Sequence, residues 1–127
     1  MKNGSLLVCF LLSLSGCASN GVKNLDLRIF DKVVEIQQHN RLSIHLNEKC
    51  NYLSDRDIVV IENSSNSVGE MITNHPKNAV GKNANLLIDV KMHERSRQIK
   101  CNNIAKNEVL DTLKVANQFM DKIVLKR

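Results

Sequence analysis

The patterning of this chain predicts an α+β domain, with a small mixed or antiparallel sheet, one short central helix and a C-terminal amphipathic helix. Three observations predict it. Arg41 to Leu46 alternates Leu42, Ile44 and Leu46 against Arg41, Ser43 and His45, the period of a half-buried strand. Ile58–Val59–Val60–Ile61 and Leu86–Leu87–Ile88–Asp89–Val90 are short apolar runs of the kind that fill a sheet interior. Val109, Leu113, Ala116, Met120 and Ile123 recur at alternating steps of four and three, the stripe of a helix with one apolar face.

Ahead of these elements stands an export signal. Met1-Lys2 gives a positive start, and Leu6 to Leu12 is an apolar stretch too short to span a bilayer. Leu14-Ser15-Gly16-Cys17 then resembles the lipobox of bacterial lipoproteins. Small side chains at Ser15 and Gly16 admit the chain to a peptidase cleft, with cleavage between Gly16 and Cys17. The Cys17 thiol takes a diacylglycerol, the freed amine takes a further acyl chain such as palmitate, and together these chains anchor firmly. The alternatives are a plain secretory leader or an N-terminal membrane helix. Ala18, where lipoprotein sorting rules would use Asp for inner-membrane retention, implies the inner leaflet of an outer membrane, facing the periplasm.

The expected organisation is therefore a leader at 1–16, a lipidated tether at 17–26 and one domain at 27–127. After cleavage about 111 residues remain, enough for one small domain. Aromatic residues make up 3% of the chain, so the core must rest on Ile, Leu and Val.

Within the domain, Val and Ile favour a strand over Leu27 to Gln37, followed by the strand at Arg41 to Leu46 and an interior strand at Asp57 to Glu62. The polar run Asn63 to Ser67 reads as a loop. Ser67 and Glu70 have the capping-box spacing for a helix burying Val68, Met71 and Ile72, which Pro76 breaks. Pro76 can open a further turn running to Lys82-Asn83. Leu86 to Val90 is then a buried strand paired with Arg97 to Asn102, and residues 107–125 form the last helix.

Of four cysteines, Cys9 leaves with the leader and Cys17 carries lipid, so Cys50 and Cys101 remain in an exported domain. An oxidising compartment favours a bond between them, and no CxxC or Cys/His spacing competes for the thiols. Two separate buried thiols are the alternative. The bond would staple the α+β domain.

Three local features also resemble a family of small enterobacterial-type lipoproteins of unknown function, and more distantly the outer-membrane lipoprotein sensor of the Rcs envelope-stress system. They are Leu42-Ser43-Ile44 leading to Cys50-Asn51-Tyr52-Leu53, the step from Ala79-Val80-Gly81 through Asn83-Ala84-Asn85 into Leu86-Leu87-Ile88, and the closing Gln98-Ile99-Lys100-Cys101. The resemblance implies an α+β domain with Cys50 bonded to Cys101, and a helix stop at Asn83 where the family usually has Gly. This chain departs from the family at Ser54, at Pro76 and in its tail beyond Cys101.

The functional expectation is a lipid-anchored, non-enzymatic envelope protein that binds an envelope protein or glycan as a structural or sensory accessory. A small-ligand or metal-binding lipoprotein is the alternative. The net charge of +5 lies in short runs without interleaved aromatics, which argues against nucleic acid. No Gly-x-Ser-x-Gly elbow or Gly-rich phosphate loop is present, so no catalytic residue and no cofactor is expected. His39, His45, His75 and His93 lack the spacing of a zinc site, so no metal ligand is assigned. The stripe Val109, Leu113, Ala116, Met120 and Ile123 is the candidate partner face, in competition with packing on its own domain or lying on a membrane.

Overall fold

The computed structural model describes residues 22–76, 78 and 83–125, with side chains described from Phe30 to Lys122 outside the 77–82 connection, where only those of Asn78 are. The leader, the Gly16–Cys17 cleavage point, lipidation at Cys17 and the turn expected at 79–82 lie outside the described residues. Four helices run in order: α1 (Val22–Cys50), α2 (Asp55–Asn74), α3 (Asn83–Gln98) and α4 (Asn103–Leu125). No strand occurs among the described residues, so the α+β expectation is overturned by an all-helical fold.

Contacts between side chains fix the directions. Gln37 meets Asn85 and Arg41 meets Asp89, both at a sequence separation of 48, so α1 and α3 run parallel. Gln37 meets Ser65 while Asn40 meets Ser64, which sets α2 antiparallel to α1. His39 meets Glu108 while Cys50 bonds Cys101, which sets α4 antiparallel as well. The result is an up-down-up-down bundle in which α1 packs against each of the other three helices.

Its core is split in two. Leu42, Ile44, Leu46, Leu53, Ile61, Met92, Val109 and Ala116 form one cluster at the disulfide end. Val33, Val68 and Ile72, with Phe30 and Phe119 against them, form the other. Between the clusters lies a seam of buried polar side chains that includes Gln37, Asn40, Ser64 and Ser65.

That seam explains the corrections. Ser43 is fully buried beside Leu42, Ile44 and Leu46, so the alternation at 41–46 does not divide core from solvent. A helix touched by three neighbours buries a broad surface, and its period of 3.6 is hidden. Leu27 to Gln37 belongs to the same helix, as do Val22 to Asp26, which the sequence assigns to the tether.

In α2 the buried positions Ile61, Ser64, Ser65, Val68 and Ile72 are a helical stripe whose middle is hydroxyl rather than hydrocarbon. The expected loop Asn63 to Ser67 is thus helix interior, and the expected strand Asp57 to Glu62 is its first half. The helix is capped by Ser54, whose side chain accepts from the Asp57 amide at 3.2 Å, and not by Ser67. It ends at Asn74, just before Pro76, as proline requires.

The run Leu86 to Val90 lies in α3 and is not a buried strand, since Leu86, Leu87 and Val90 are 60, 59 and 58% exposed. Asn83 begins this helix where the family resemblance implies a stop. Arg97 to Asn102 is not a strand but the end of α3 and the turn into α4. There Asn102 accepts from the Ala105 amide at 2.9 Å, so α4 starts at Asn103 rather than Asn107. Val109 and Ala116 are fully buried and Leu113 and Met120 half-buried, so the C-terminal stripe faces the bundle interior. The Ile123 side chain lies outside the described residues.

The Cys50–Cys101 disulfide joins the end of α1 to the turn before α4 across a Cα–Cα distance of 5.6 Å. Around it Lys49 Nζ donates to the carbonyls of Ser96 at 3.2 Å and of Ile99, where the negative end of the α3 dipole favours a cation. Asn51 takes φ 55°, and its amide donates to Asn47 O at 2.8 Å, closing α1 with a residue that tolerates the left-handed region.

Two stability outcomes follow. Opening the bond with reductant or a Cys50→Ser, Cys101→Ser pair frees a loop of 51 residues and lowers stability by about 4 kcal/mol in the chain-entropy model, read as a fall in the urea midpoint. Asn40→Ala strands the buried Ser64 Oγ, 3.1 Å from its donor, and costs about 1–3 kcal/mol in the same assay.

Candidate functional site

The seam opens to solvent as a groove of about 870 Å³ between α1, α2 and α3. Two polar stripes at steps of four run along facing helices: Gln37 and Arg41 on α1 and Asn85 and Asp89 on α3 line the groove, and His45 and His93 continue the stripes beyond it. A step of four keeps side chains on one helix face. Gln37 Nε2 donates to Ser65 O at 3.0 Å and to Asn85 Oδ1 at 3.2 Å. Asn85 Nδ2 in turn donates to Gly69 O at 2.9 Å and to Thr73 Oγ1 at 3.0 Å.

Gly69 lets this network form. A Cβ there would stand 3.2 Å from Gln37 Nε2 and 3.4 Å from Asn85 Oδ1, tighter than packed side chains usually tolerate.

Farther along, three nitrogens of two side chains converge on one carboxylate oxygen. Arg41 Nε and Nη2 both lie 2.6 Å from Asp89 Oδ1, and His45 Nε2 lies 2.8 Å from the same atom. Burial works against ionisation of Asp89, but the hydrogen bonds from His45 and Arg41, with their charge, hold it below the ordinary carboxylate value of 3.8. His45 Nδ1, Gln37 Oε1 and Ser43 Oγ are buried with no hydrogen-bond partner. The His45 ring meets that of His93 edge-on, with centroids 4.6 Å apart.

The other histidines are dispersed. His39 pairs with Glu108 at 2.8 Å on the surface, and His75 lies against Phe30 with centroids 4.7 Å apart. Among the described residues no three His, Cys, Asp or Glu side chains stand together as a ready metal cage. The Arg41–Asp89–His45 chain sets a carboxylate that orients an imidazole, and among the described residues the other nitrogen of that imidazole, His45 Nδ1, has no hydrogen-bond partner.

The sequence brings out Cys50 and Cys101, which the structure joins, and the α4 stripe, which it folds inward. It passes over Gln37, Arg41, Asn85 and Asp89, although their steps of four are legible once both segments are read as helices. No helix among the described residues is long and apolar enough to cross a membrane. Comparison with family models, with curated proteins and with solved structures finds no match.

Because Asp89 is held below its ordinary value in the fold, its pairing stabilises fully above pH 3.8 and is lost as pH falls through the depressed value. Acid unfolding followed by circular dichroism is expected to show a stability loss beginning below that pH. Asp89→Asn, already without the charge, shows a shallower acid limb and a lower plateau near neutrality. An acid limb identical in the two proteins contradicts the assignment.

Proposed function

We propose that this chain is an exported bacterial envelope protein, anchored through lipid on Cys17, that acts without catalysis by binding an envelope protein or glycan as a structural or sensory accessory. The observation that carries this reading is the Cys50–Cys101 bond. Disulfides persist in exported proteins and are rare in a reducing cytosol, so the bond supports export independently of the apolar leader and of Leu14-Ser15-Gly16-Cys17. Placement on the inner leaflet of an outer membrane rests on Ala18. The kinship with enterobacterial-type lipoproteins stays part of the same proposal.

A partner has an apolar foothold on the outer face of α3, where Leu86, Leu87 and Val90 stand exposed together. This replaces the α4 stripe as the candidate contact face, because Val109 and Ala116 are inside the bundle. The groove favours a second reading, capture of a small polar ligand, since amides and hydroxyls from three helices line it.

Cells labelled with palmitate are expected to incorporate it into the wild-type protein and not into Cys17→Ala, which accumulates as uncleaved precursor. Equal labelling of the two removes the anchor from the proposal. Cross-linking in intact envelopes followed by affinity capture is expected to recover one partner that a Leu87→Glu, Val90→Glu pair no longer holds.

A further inference from the structure

We propose that the groove between α1, α2 and α3 binds a primary alkylammonium, with the Glu70 carboxylate as counter-ion and Gln37 Oε1 and Asp89 Oδ2 as acceptors. This inference rests on reading the groove as a ligand site and adds the class of ligand. The charge and the hydrogen-bonding capacity left over in its walls both point to that class. Asn66, Glu70, Asn74 and Leu86 join the stripe residues around a volume of about 870 Å³, room for an organic molecule of several groups rather than a bare ion.

The network in the walls spends its donors on itself. Gln37 Nε2 donates to Ser65 O and Asn85 Oδ1, and Asn85 Nδ2 to Gly69 O and Thr73 Oγ1, so each amide has used both hydrogens. Arg41 is committed to Asp89 Oδ1 through Nε and Nη2, and its Nη1 donates to Ser65 Oγ at 3.5 Å. What remains is acceptors. Gln37 is 3% exposed, and its Oε1 is buried without a partner. Two acceptors against Nε2 fix which end of that amide is oxygen, and an orphaned acceptor costs free energy until a donor reaches it. Asp89 takes all three nitrogens on Oδ1, and its Oδ2 has no hydrogen bond among the described residues. Glu70 likewise lines the groove with no ion pair or hydrogen bond to a described side chain.

Asn85 ties these acceptors to one place. Gln37 is bonded to it, Asp89 follows it by one turn of α3, and Glu70 is next in sequence to Gly69, whose carbonyl it holds. Arg41 balances Asp89, so Glu70 leaves one negative charge unanswered on a chain whose net charge is +5. An anion would be repelled by that charge, and a neutral polyol would leave it uncompensated. An ammonium has three donors, no acceptor and one positive charge, which matches what the walls lack. Leu86, an exposed apolar side chain on the same groove, gives the alkyl chain a contact. Asn66 and Asn74 each offer a donor and an acceptor to the rest of the ligand. Such an ammonium is carried by a free amine or by a lysine side chain of a peptide.

The test is a titration of the isotope-labelled full chain, carrying Cys9→Ser and Cys17→Ser, followed by amide NMR with pentylamine, pentanol and Nα-acetyl-lysine methylamide as probes. Pentylamine is expected to move the Gly69 backbone amide and the Gln37 and Asn85 side-chain amides saturably, and pentanol to move none of them. Glu70→Gln, at an exposed residue, keeps the thermal midpoint and weakens pentylamine about fivefold. Glu62→Gln, exposed on the same helix outside the groove, leaves the affinity unchanged. Saturation by the acetyl-lysine amide as well assigns a peptide-borne ammonium, and saturation by pentylamine alone assigns a free amine; either supports the proposal. Equal shifts with pentanol, unchanged affinity in Glu70→Gln, or an equal loss in Glu62→Gln overturns the ammonium and leaves the groove as a ligand site. No saturable shift with any probe overturns both.

Discussion

The arrangement depends on the need to pair polar groups that the bundle carries into its interior. Gln37, Asn40, Ser64 and Ser65 are all buried, and a buried donor or acceptor without a partner costs more than most single contacts return. Hydrocarbon surfaces alone would let helices slide or rotate against one another with modest loss. Hydrogen bonds at fixed positions do not, so the seam sets α1, α2 and α3 in one axial and rotational phase. The two apolar clusters then fill the space on either side.

The disulfide acts at one end of this arrangement and the seam acts at its middle. Cys50–Cys101, the Lys49 contacts with Ser96 and Ile99, and the Tyr52 hydroxyl donating to Asn102 O at 3.0 Å tie the end of α1 to the α3–α4 turn. A chain with few aromatic residues buries modest apolar area, so a covalent closure that limits the unfolded ensemble carries a large part of its stability.

The sequence made the covalent framework legible and hid the fold. The thiol count led to Cys50 and Cys101, Pro76 marked the end of a helix, and the steps of four and three in α4 stood out because that helix buries a single stripe. The other helices misled for physical reasons. In α1 burial on several sides erased the period, in α2 serines occupied core positions and imitated a loop, and in α3 exposed leucine and valine imitated a buried strand. The candidate site was invisible for a related reason: its residues sit 44 to 48 positions apart and meet only through helix register, which local spacing does not encode.

The constant offset between α1 and α3 has a consequence for how such a chain can vary in length. One residue added within α1 between Gln37 and Arg41 would turn everything beyond it by about 100° and advance it by about 1.5 Å, separating Arg41 and His45 from Asp89 together. The turn at 51–54 is held as tightly, since Asn51 closes α1, Leu53 enters the core and Ser54 caps α2. In relatives of this protein the helices flanking the groove should therefore keep their residue count as strictly as the groove keeps its side chains.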